Sequence, residues 1–269
     1  RMLDWHAVAV HPRDPNIVLS ELTCPRFLVR STDGAVHWSR VDQTPEGMAW
    51  ATIEFAPSNP DVVYAGTTGF VSCGHSDFEQ PASGIRVSSD AGRSWRTAND
   101  EHTRELSILK LIVDPDDPET VLAGSARKGL WKTEDGGSSW RTVDPQRFGQ
   151  KTITYVGFDP NRKGVVFVGP KNGGLWGSND GGRSWRRSGY GVDAEATITD
   201  MAFSSSAGHT VYLADLRSGV YRSTDGGESW RPLNDGLLVR AVNALALSDD
   251  DAFLYAATEG QGVFRLNLK

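Results

Sequence analysis

The sequence has few cysteines and no long apolar run. Two cysteines among 269 residues, Cys24 and Cys73, exclude a disulfide-framework protein and leave room for one bridge or two thiols. No run of 18 apolar residues occurs, so the sequence predicts no membrane span. A basic excess is also lacking, because the formal net charge is -6, and this argues against a nucleic-acid partner. Apolar residues do not recur with helical spacing, which favours a fold made of strands.

What the sequence contains instead is a repeat. Five segments follow the pattern Ser/Thr-x-Asp-x-Gly-x-Ser-Trp, with STDGGESW at 223–230 as the clearest copy. Each copy ends in a tryptophan, and these are Trp38, Trp95, Trp140, Trp185 and Trp230. The first step between them is 57 residues and the other three are 45. A fixed period of this size indicates a repeat architecture.

Each repeat contains four short apolar runs, rich in β-branched and aromatic residues and separated by Pro, Asp, Asn and Gly. We read them as antiparallel strands a, b, c and d. Strand a begins near residues 5, 50, 108, 153, 198 and 242. A single such sheet cannot bury both faces, whereas a ring of sheets can. The sequence therefore predicts one all-β domain over 1–269, a six-bladed β-propeller of four-stranded blades. The last blade is expected to be incomplete or closed by the N-terminus.

The repeated pattern is best explained as the turn between strands c and d. Its aspartate can accept turn N–H groups, its glycine supplies a positive φ, and its Ser or Thr can hydrogen-bond within the turn. The tryptophan packs its ring against the hairpin. This interpretation makes the pattern a structural element and not an active site.

The pattern resembles the Asp-box (BNR) repeat of sialidases, sortilin ectodomains, xyloglucanases and photosystem II assembly propellers. The resemblance covers five of the six repeats and implies the propeller fold. The first copy departs from it, with Ala35 where glycine is expected and His37 where serine is expected, so we expect a looser turn there. Because this family includes both enzymes and binding modules, the resemblance leaves activity open.

Polar residues on the innermost strands form one candidate site. Glu54, Tyr155 and Asp200 are the candidate catalytic residues, and Thr52 and Lys110, which lie on the same inner strands, are candidate ligand-binding residues. Two interpretations stay open. These side chains line a water-filled channel, or Glu54 and Asp200 are paired carboxylates for acid–base chemistry on a sugar.

Basic residues form a second candidate site, in the loops that join strand b to c and strand d to the next strand a. These ligand-binding candidates are Arg104, Arg127, Lys128, Arg147, Lys171, Arg217 and Arg240. All are expected on the face opposite the Asp-box turns, at the mouth of the channel. They indicate an anionic ligand, or they are ordinary exposed charges.

The third candidate is a cysteine and histidine cluster. The second repeat is 12 residues longer than the others, mainly in its b–c loop around 69–84, which contains Cys73 and His75. Cys24 lies in the equivalent loop of the first repeat. A disulfide between the cysteines is the favoured interpretation. A transition-metal site using both cysteines with His6, His75 or His102 is the alternative, and unrelated thiols are the third.

We expect the native protein to have its two cysteines joined. Intact mass before and after alkylation checks this, since a disulfide leaves no thiol to react until a reductant is added. Two alkylated thiols in native, metal-free protein would contradict the bridge.

Sialidase activity is disfavoured by the sequence. That group needs an Arg-Ile-Pro stretch and an arginine triad, but the chain has no Arg-Ile-Pro and no arginine in any predicted strand a. Xyloglucanases of this type use two larger propellers. We therefore favour a module that binds a glycan, peptide or protein on the b–c and d–a loop face and needs no cofactor. A glycan-active hydrolase and a metal-dependent enzyme are the alternatives. An extracellular or periplasmic location is expected.

Overall fold

The structure is a computed structural model that describes residues 7–23, 26–43, 49–69 and 82–269. Its strands fall into two compact units, Arg1–Lys151 and Thr152–Lys269. This division does not test the prediction of a single domain over 1–269.

The first unit contains three antiparallel sheets of four strands, which follow one another along the chain. Sheet 1 consists of β1 (Val8–Val10), β2 (Val18–Thr23), β3 (Arg26–Ser31) and β4 (Ser39–Gln43). Sheet 2 consists of β5 (Ala49–Phe55), β6 (Val63–Thr68), β7 (Ile85–Ser88) and β8 (Arg96–Thr97). Sheet 3 consists of β9 (Ile108–Asp114), β10 (Asp117–Ser125), β11 (Leu130–Thr133) and β12 (Arg141–Val143).

The second unit contains two four-stranded sheets and one of three strands. Sheet 4 consists of β13 (Ile153–Phe158), β14 (Val166–Pro170), β15 (Trp176–Ser178) and β16 (Arg186–Arg187). Sheet 5 consists of β17 (Ile198–Phe203), β18 (Val211–Asp215), β19 (Gly219–Ser223) and β20 (Arg231–Pro232). Sheet 6 consists of β21 (Val242–Leu247), β22 (Phe253–Thr258) and β23 (Gly262–Asn267). The all-β prediction is confirmed, as are the starts of strand a in sheets 2 to 6.

Helical structure is nearly absent from the described residues. The one described helix is α1 (Pro145–Phe148), a single turn. Proline at its first position suits the turn because the missing N–H has no partner there, and Asp144 caps it by accepting the Arg147 N–H at 3.2 Å. No helical segment in the described parts of the chain has the length and apolar character of a membrane span.

Apolar side chains bury the faces between successive sheets. In the first unit Ile85 and Val87 of sheet 2 pack with Ile108 and Leu111 of sheet 3. In the second unit a corresponding cluster joins sheets 4 and 5, and it contains Ile198, Leu213 and Trp230. Each of these sheets buries apolar side chains against its neighbours. This burial explains why the strands appear in the sequence as nearly continuous apolar runs.

Polar contacts also tie neighbouring sheets together at strand a. The Thr154 hydroxyl lies 2.9 Å from the Gly169 oxygen of its own sheet and 2.7 Å from the Ile198 oxygen of sheet 5. Thr199 lies 2.7 Å from the Val242 oxygen of sheet 6 in the same way. Each threonine lies at a β-bulge, where the register between the first and second strands of its sheet shifts. The bulge thus points a hydroxyl at the next sheet.

Candidate functional site

The repeated Asp-box pattern forms the turn between the third and fourth strands, as predicted. In sheet 5 the Ser223 hydroxyl donates to Asp225 at 2.7 Å and accepts the Gly227 N–H at 2.8 Å. Asp225 Oδ1 accepts the N–H groups of Glu228 at 3.1 Å and Ser229 at 2.9 Å. Gly227 has a φ of +92°, a conformation that disfavours other residues. Both carboxylate oxygens are used within the turn, which leaves no oxygen poised for catalysis.

These bonds favour the ionised aspartate. Hydrogen bonds from the Ser229 hydroxyl and N–H lower the pKa of Asp225 to about 2. In the first box the N–H and ring of His37 lower the pKa of Asp33 to about 2. For Asp90, hydrogen bonds from Ser94 outweigh the opposing effect of burial and bring its pKa to about 2. The box aspartates are therefore charged in the folded protein at neutral pH.

The first turn, which the sequence predicts to be looser, keeps most of the contacts of the other boxes. Ala35 takes the left-handed conformation, with φ of +70°, and its N–H still donates to Ser31 at 2.9 Å. The His37 ring contacts Asp33 at 2.7 Å, in the place where the other boxes have a serine hydroxyl. An imidazole nitrogen can replace the hydroxyl as a partner of the carboxylate. One contact is lost, because Asp33 accepts the His37 N–H but not the Val36 N–H, the counterpart of the Glu228 N–H in sheet 5.

The boxes of sheets 3 and 5 are also attached to the preceding sheet, which the sequence interpretation did not anticipate. In the second unit the Arg162 guanidinium of sheet 4 donates to the Gly226 oxygen at 2.8 Å, and the Ser188 hydroxyl donates to the Gly227 oxygen at 2.6 Å. In the first unit the Trp140 indole donates to the Ala98 oxygen at 2.9 Å. The boxes thus join sheets as well as close hairpins.

The second glycine of the box has a further structural role. A Cβ on Gly137 would lie 2.7 Å from Ala98 Cβ, and one on Gly227 would lie 2.9 Å from the Phe167 ring. Both neighbours belong to the preceding sheet. Glycine is therefore required there by close approach as well as by φ.

The candidate catalytic residues occupy three different environments. Asp200 Oδ2 accepts the Leu245 N–H of sheet 6 at 2.8 Å, and its Oδ1 accepts the Met201 N–H at 2.9 Å. Tyr155 is buried in the apolar cluster between sheets 4 and 5. Glu54 lies in the first unit, half-buried in β5 opposite Tyr64. Asp200 thus joins two sheets, and the pairing of Glu54 with Asp200 stays a prediction.

Thr52 and Lys110 occupy the strand-a positions that the repeat predicts. The Thr52 hydroxyl accepts the Leu111 N–H of sheet 3 at 3.3 Å, which is the sheet-joining contact that Asp200 makes in the second unit. Lys110 is half-buried opposite Gly124 in β10. The Thr52 hydroxyl is therefore used in a hydrogen bond between sheets 2 and 3.

The basic candidates of the first unit differ in their surroundings. Arg147 pairs with Asp144 at 2.6 Å, and Arg104 lies 3.6 Å from Glu105. Arg127 is exposed in a left-handed turn, with φ of +61°, beside the exposed Lys128. Arg147 is committed to an ion pair at the start of α1, whereas Lys128 has no ion pair to a described residue.

In the second unit Lys171, Arg217 and Arg240 are exposed at the same end of the sheets. Lys171 and Arg217 lie in the loops after β14 and β18, and Arg240 lies in the connection from β20 to β21. None of the three side chains forms an ion pair with a described residue. We call this set the basic loop cluster.

The cysteine and histidine candidates are mostly beyond the part of the chain that the structure describes. His6, Cys24, Cys73 and His75 lie outside it, so the disulfide and the metal site stay predictions. His102 is described and lies 3.6 Å from Glu101. The described residues include no group of three or more His, Cys, Asp or Glu side chains placed to bind a metal.

An apolar cavity of about 110 Å³ in the second unit was missed by the sequence interpretation. Val220 and Leu233 of sheet 5 line it on one side, and Leu254, Phe264 and Leu266 of sheet 6 line it on the other. One difference in the sequence marks this place: residues 242–269 contain no Asp-box, unlike the other five repeats.

Solved structures show similarity over nearly the whole chain. An ancestral GH74 enzyme matches 97% of it with a TM-score of 0.74 and 17% identity, and the GH74 xyloglucanase from Xanthomonas campestris matches 98% with 0.72 and 17%. The structure described as YCF48 bound to D1 peptide matches 99% with a TM-score of 0.68 and 16% identity. At these identities the likeness shows the fold, a β-propeller whose blades correspond to the six sheets.

The lengths of these proteins differ greatly. The chain spans 36% of the ancestral GH74 enzyme, 45% of the xyloglucanase and 79% of the YCF48 chain. No curated protein sequence matches the chain.

A sequence profile covers most of the chain in two overlapping matches. The profile is that of the Sortilin-Vps10 family, described as sortilin, neurotensin receptor 3, and it matches residues 26–147 and 128–261. The matches include all five Asp-box turns and the strands on either side of them. The chain therefore belongs to the Sortilin-Vps10 family.

Proposed function

We propose that the chain is a binding module whose ligand is a peptide or protein segment. The basic loop cluster carries this proposal. Lys171, Arg217 and Arg240 are exposed at one end of the second unit and have no ion pair to a described residue. Exposed cations that are not neutralised by a neighbour are available to a carboxylate of a partner.

The charges around the cluster favour a peptide over a polyanion. Asp193, Glu195 and Asp235 are exposed in the connections on the same end of the sheets. A surface that carries both signs repels a uniformly negative ligand and suits a segment with separate acidic and basic groups. Extended peptides with a few acidic side chains meet that requirement.

Two further observations support a binding role over hydrolysis. Asp200, a candidate catalytic carboxylate, uses both oxygens to accept backbone N–H groups. The chain also covers 79% of the length of the structure described as bound to a peptide, against 36% and 45% of the two GH74 enzymes. We propose that the module lies outside the cytoplasm, and this rests on the predicted Cys24–Cys73 bridge, since such bridges persist in oxidising compartments.

The test is a peptide and glycan array followed by solution affinities for the strongest binder. The double variant Lys171→Glu and Arg217→Glu is expected to weaken binding of an acidic peptide at least about tenfold and to reduce its salt dependence, because two attractive charges become repulsive. Arg183→Glu is the matched control. It also changes an exposed arginine of the second unit, but in a box turn at the other end of the sheets.

Equal losses in the double variant and in the control would show a general charge effect and contradict the proposal. Binding to glycans but to no peptide would also contradict it, and would favour the hydrolase or lectin-like alternatives.

A further inference from the structure

Thr197 links the two loops that carry Lys171 and Arg217 of the basic loop cluster. Its carbonyl oxygen accepts the Leu216 N–H of the sheet 5 loop at 3.0 Å. Its hydroxyl accepts the Asn172 N–H of the sheet 4 loop at 3.0 Å. Thr197 directly precedes β17 and is buried, with 3% of its surface exposed. The two loops therefore meet at one buried residue.

The remaining polar groups of Thr197 fix the same junction. Its N–H donates at 3.0 Å to the carboxylate of Asp215, a buried residue at the end of β18. Its hydroxyl, which accepts the Asn172 N–H, donates its own hydrogen to Asn172 Oδ1 at 3.1 Å. Every polar group of Thr197 is thus bonded to the sheet 4 loop or to the start of the sheet 5 loop.

These contacts also orient the Asn172 amide. With Oδ1 toward the threonine hydroxyl, Nδ2 is directed away from it and donates to none of the described residues. Asn172 and Lys171 are both exposed. The backbone at Asn172 is left-handed, with φ of +51°, a conformation that asparagine tolerates. The sheet 4 loop therefore presents an amide and an ammonium to solvent as adjacent donors.

Arg217 has a fixed neighbour on the side of sheet 4. It follows Asn172 by 45 residues and so takes the same loop position one repeat later. The backbone part of the junction recurs between sheets 5 and 6, where the Glu259 N–H donates to the Ala241 oxygen at 2.9 Å. Ala241 has no hydroxyl to hold a loop residue, whereas Thr197 does. The hydroxyl link thus pairs the Arg217 loop with the loop of Lys171 and Asn172.

We propose that Lys171, Asn172 and Arg217 form one site for a carboxylate of the peptide, and that Thr197 is the positioning residue of this site. A carboxylate has two oxygens that accept hydrogen bonds, and an amide, an ammonium and a guanidinium are all donors to it. Loops that are held in place before binding lower the entropic cost of association. This inference rests on the proposed function and names the group that is bound, an acidic side chain or a free chain end.

The probe is a hexapeptide, Gly-Thr-Val-Asp-Val-Thr, with both ends capped. Two further peptides carry Asn in place of Asp, one with a capped C-terminus and one with a free C-terminal carboxylate. Calorimetry on the full chain measures the three affinities. A peptide with a carboxylate is expected to bind at least about tenfold more tightly than the capped Asn peptide, because hydrogen bonds to an ionised group are the stronger ones. Which of the two binds shows whether the group is a side chain or a chain end.

Thr197→Val removes the hydroxyl and keeps a similar shape. It is expected to lower this preference at least about fivefold, because the loops are then not held in place before binding. Thr197→Ser keeps the hydroxyl and should restore the preference. Thr154→Val is the matched control, since Thr154 also joins sheets 4 and 5 through its hydroxyl but lies within β13. It should leave the preference unchanged, whatever its effect on stability.

Asn172→Gly tests the amide, because glycine adopts a φ of +51° without strain. It is expected to lower the preference although both cations remain. Equal affinities for the three peptides, binding of none of them, or an unchanged preference in Thr197→Val or in Asn172→Gly would overturn the inference. The proposed function fails separately, when the Lys171→Glu and Arg217→Glu variant loses no more affinity for the array peptide than Arg183→Glu does.

Discussion

Replacing Trp230 by alanine is expected to lower the free energy of unfolding by about 3–5 kcal/mol, the usual range for a large buried aromatic. The Trp230 side chain is 3% exposed and packs in the cluster between sheets 4 and 5. Its indole N–H donates to the Gly227 carbonyl oxygen at 3.1 Å, and its backbone N–H donates to the Tyr190 carbonyl oxygen at 2.8 Å. Removing the ring leaves a cavity between two sheets. Urea denaturation followed by circular dichroism measures the loss.

Trp38→Ala is the matched control for this experiment. Trp38 ends the first box and makes the same indole bond within its turn, to the Ala35 oxygen at 3.1 Å, but it is only half-buried. Its replacement is expected to cost about 1 kcal/mol, as for partly exposed positions. A loss below about 1 kcal/mol in Trp230→Ala, or equal losses at the two positions, would show that burial between sheets is not what makes the box stabilising.

Acidification is expected to unfold the protein cooperatively between about pH 4 and pH 2. The pKa values of Asp33, Asp90 and Asp225 are lowered to about 2, whereas an aspartate of the unfolded chain titrates near 3.9. A group with a lowered folded pKa contributes stability above its unfolded pKa and loses it as the pH falls toward the folded pKa. The box bonds therefore weaken together in this window. Urea midpoints measured from pH 5 to pH 2 give the profile.

Asp225→Asn is expected to lower stability at pH 7 and to flatten this pH profile, because the amide keeps no charge to lose. Asp249→Asn is the control, since Asp249 is exposed and makes no hydrogen bond to a described residue. It should leave the profile unchanged. If both variants reproduce the wild-type profile, the acid transition has another origin than the boxes.

The fold could be predicted because the information is local and repeated. Strand a starts at 108, 153, 198 and 242 as the period requires, and the Ser223, Asp225 and Gly227 contacts follow from turn chemistry alone. Packing of each box tryptophan against its own hairpin does not predict how deeply the ring is buried. Trp140, Trp185 and Trp230 are buried, whereas Trp38 and Trp95 are half-buried. The difference depends on the neighbouring sheet, which a pattern within one repeat does not describe.

The candidate site was harder to predict for a related reason. Asp200 looked like a free carboxylate on an inner strand, but its partner is the Leu245 N–H, 45 residues away in the next sheet. Arg147 looked like part of a basic rim, but it pairs with Asp144 beside α1. Residue type and position along a strand predict where a side chain lies, whereas the contacts between sheets decide whether it is available.

The contacts between sheets also have a consequence for the order of folding. Thr154 reaches Ile198 across 44 residues, Thr199 reaches Val242 across 43, and Asp200 reaches Leu245 across 45. Contacts that span one repeat require only that the adjacent sheet be present. Within each unit a nascent chain can therefore complete one sheet, use its exposed side as the template for the next, and proceed without waiting for distant segments to be synthesised.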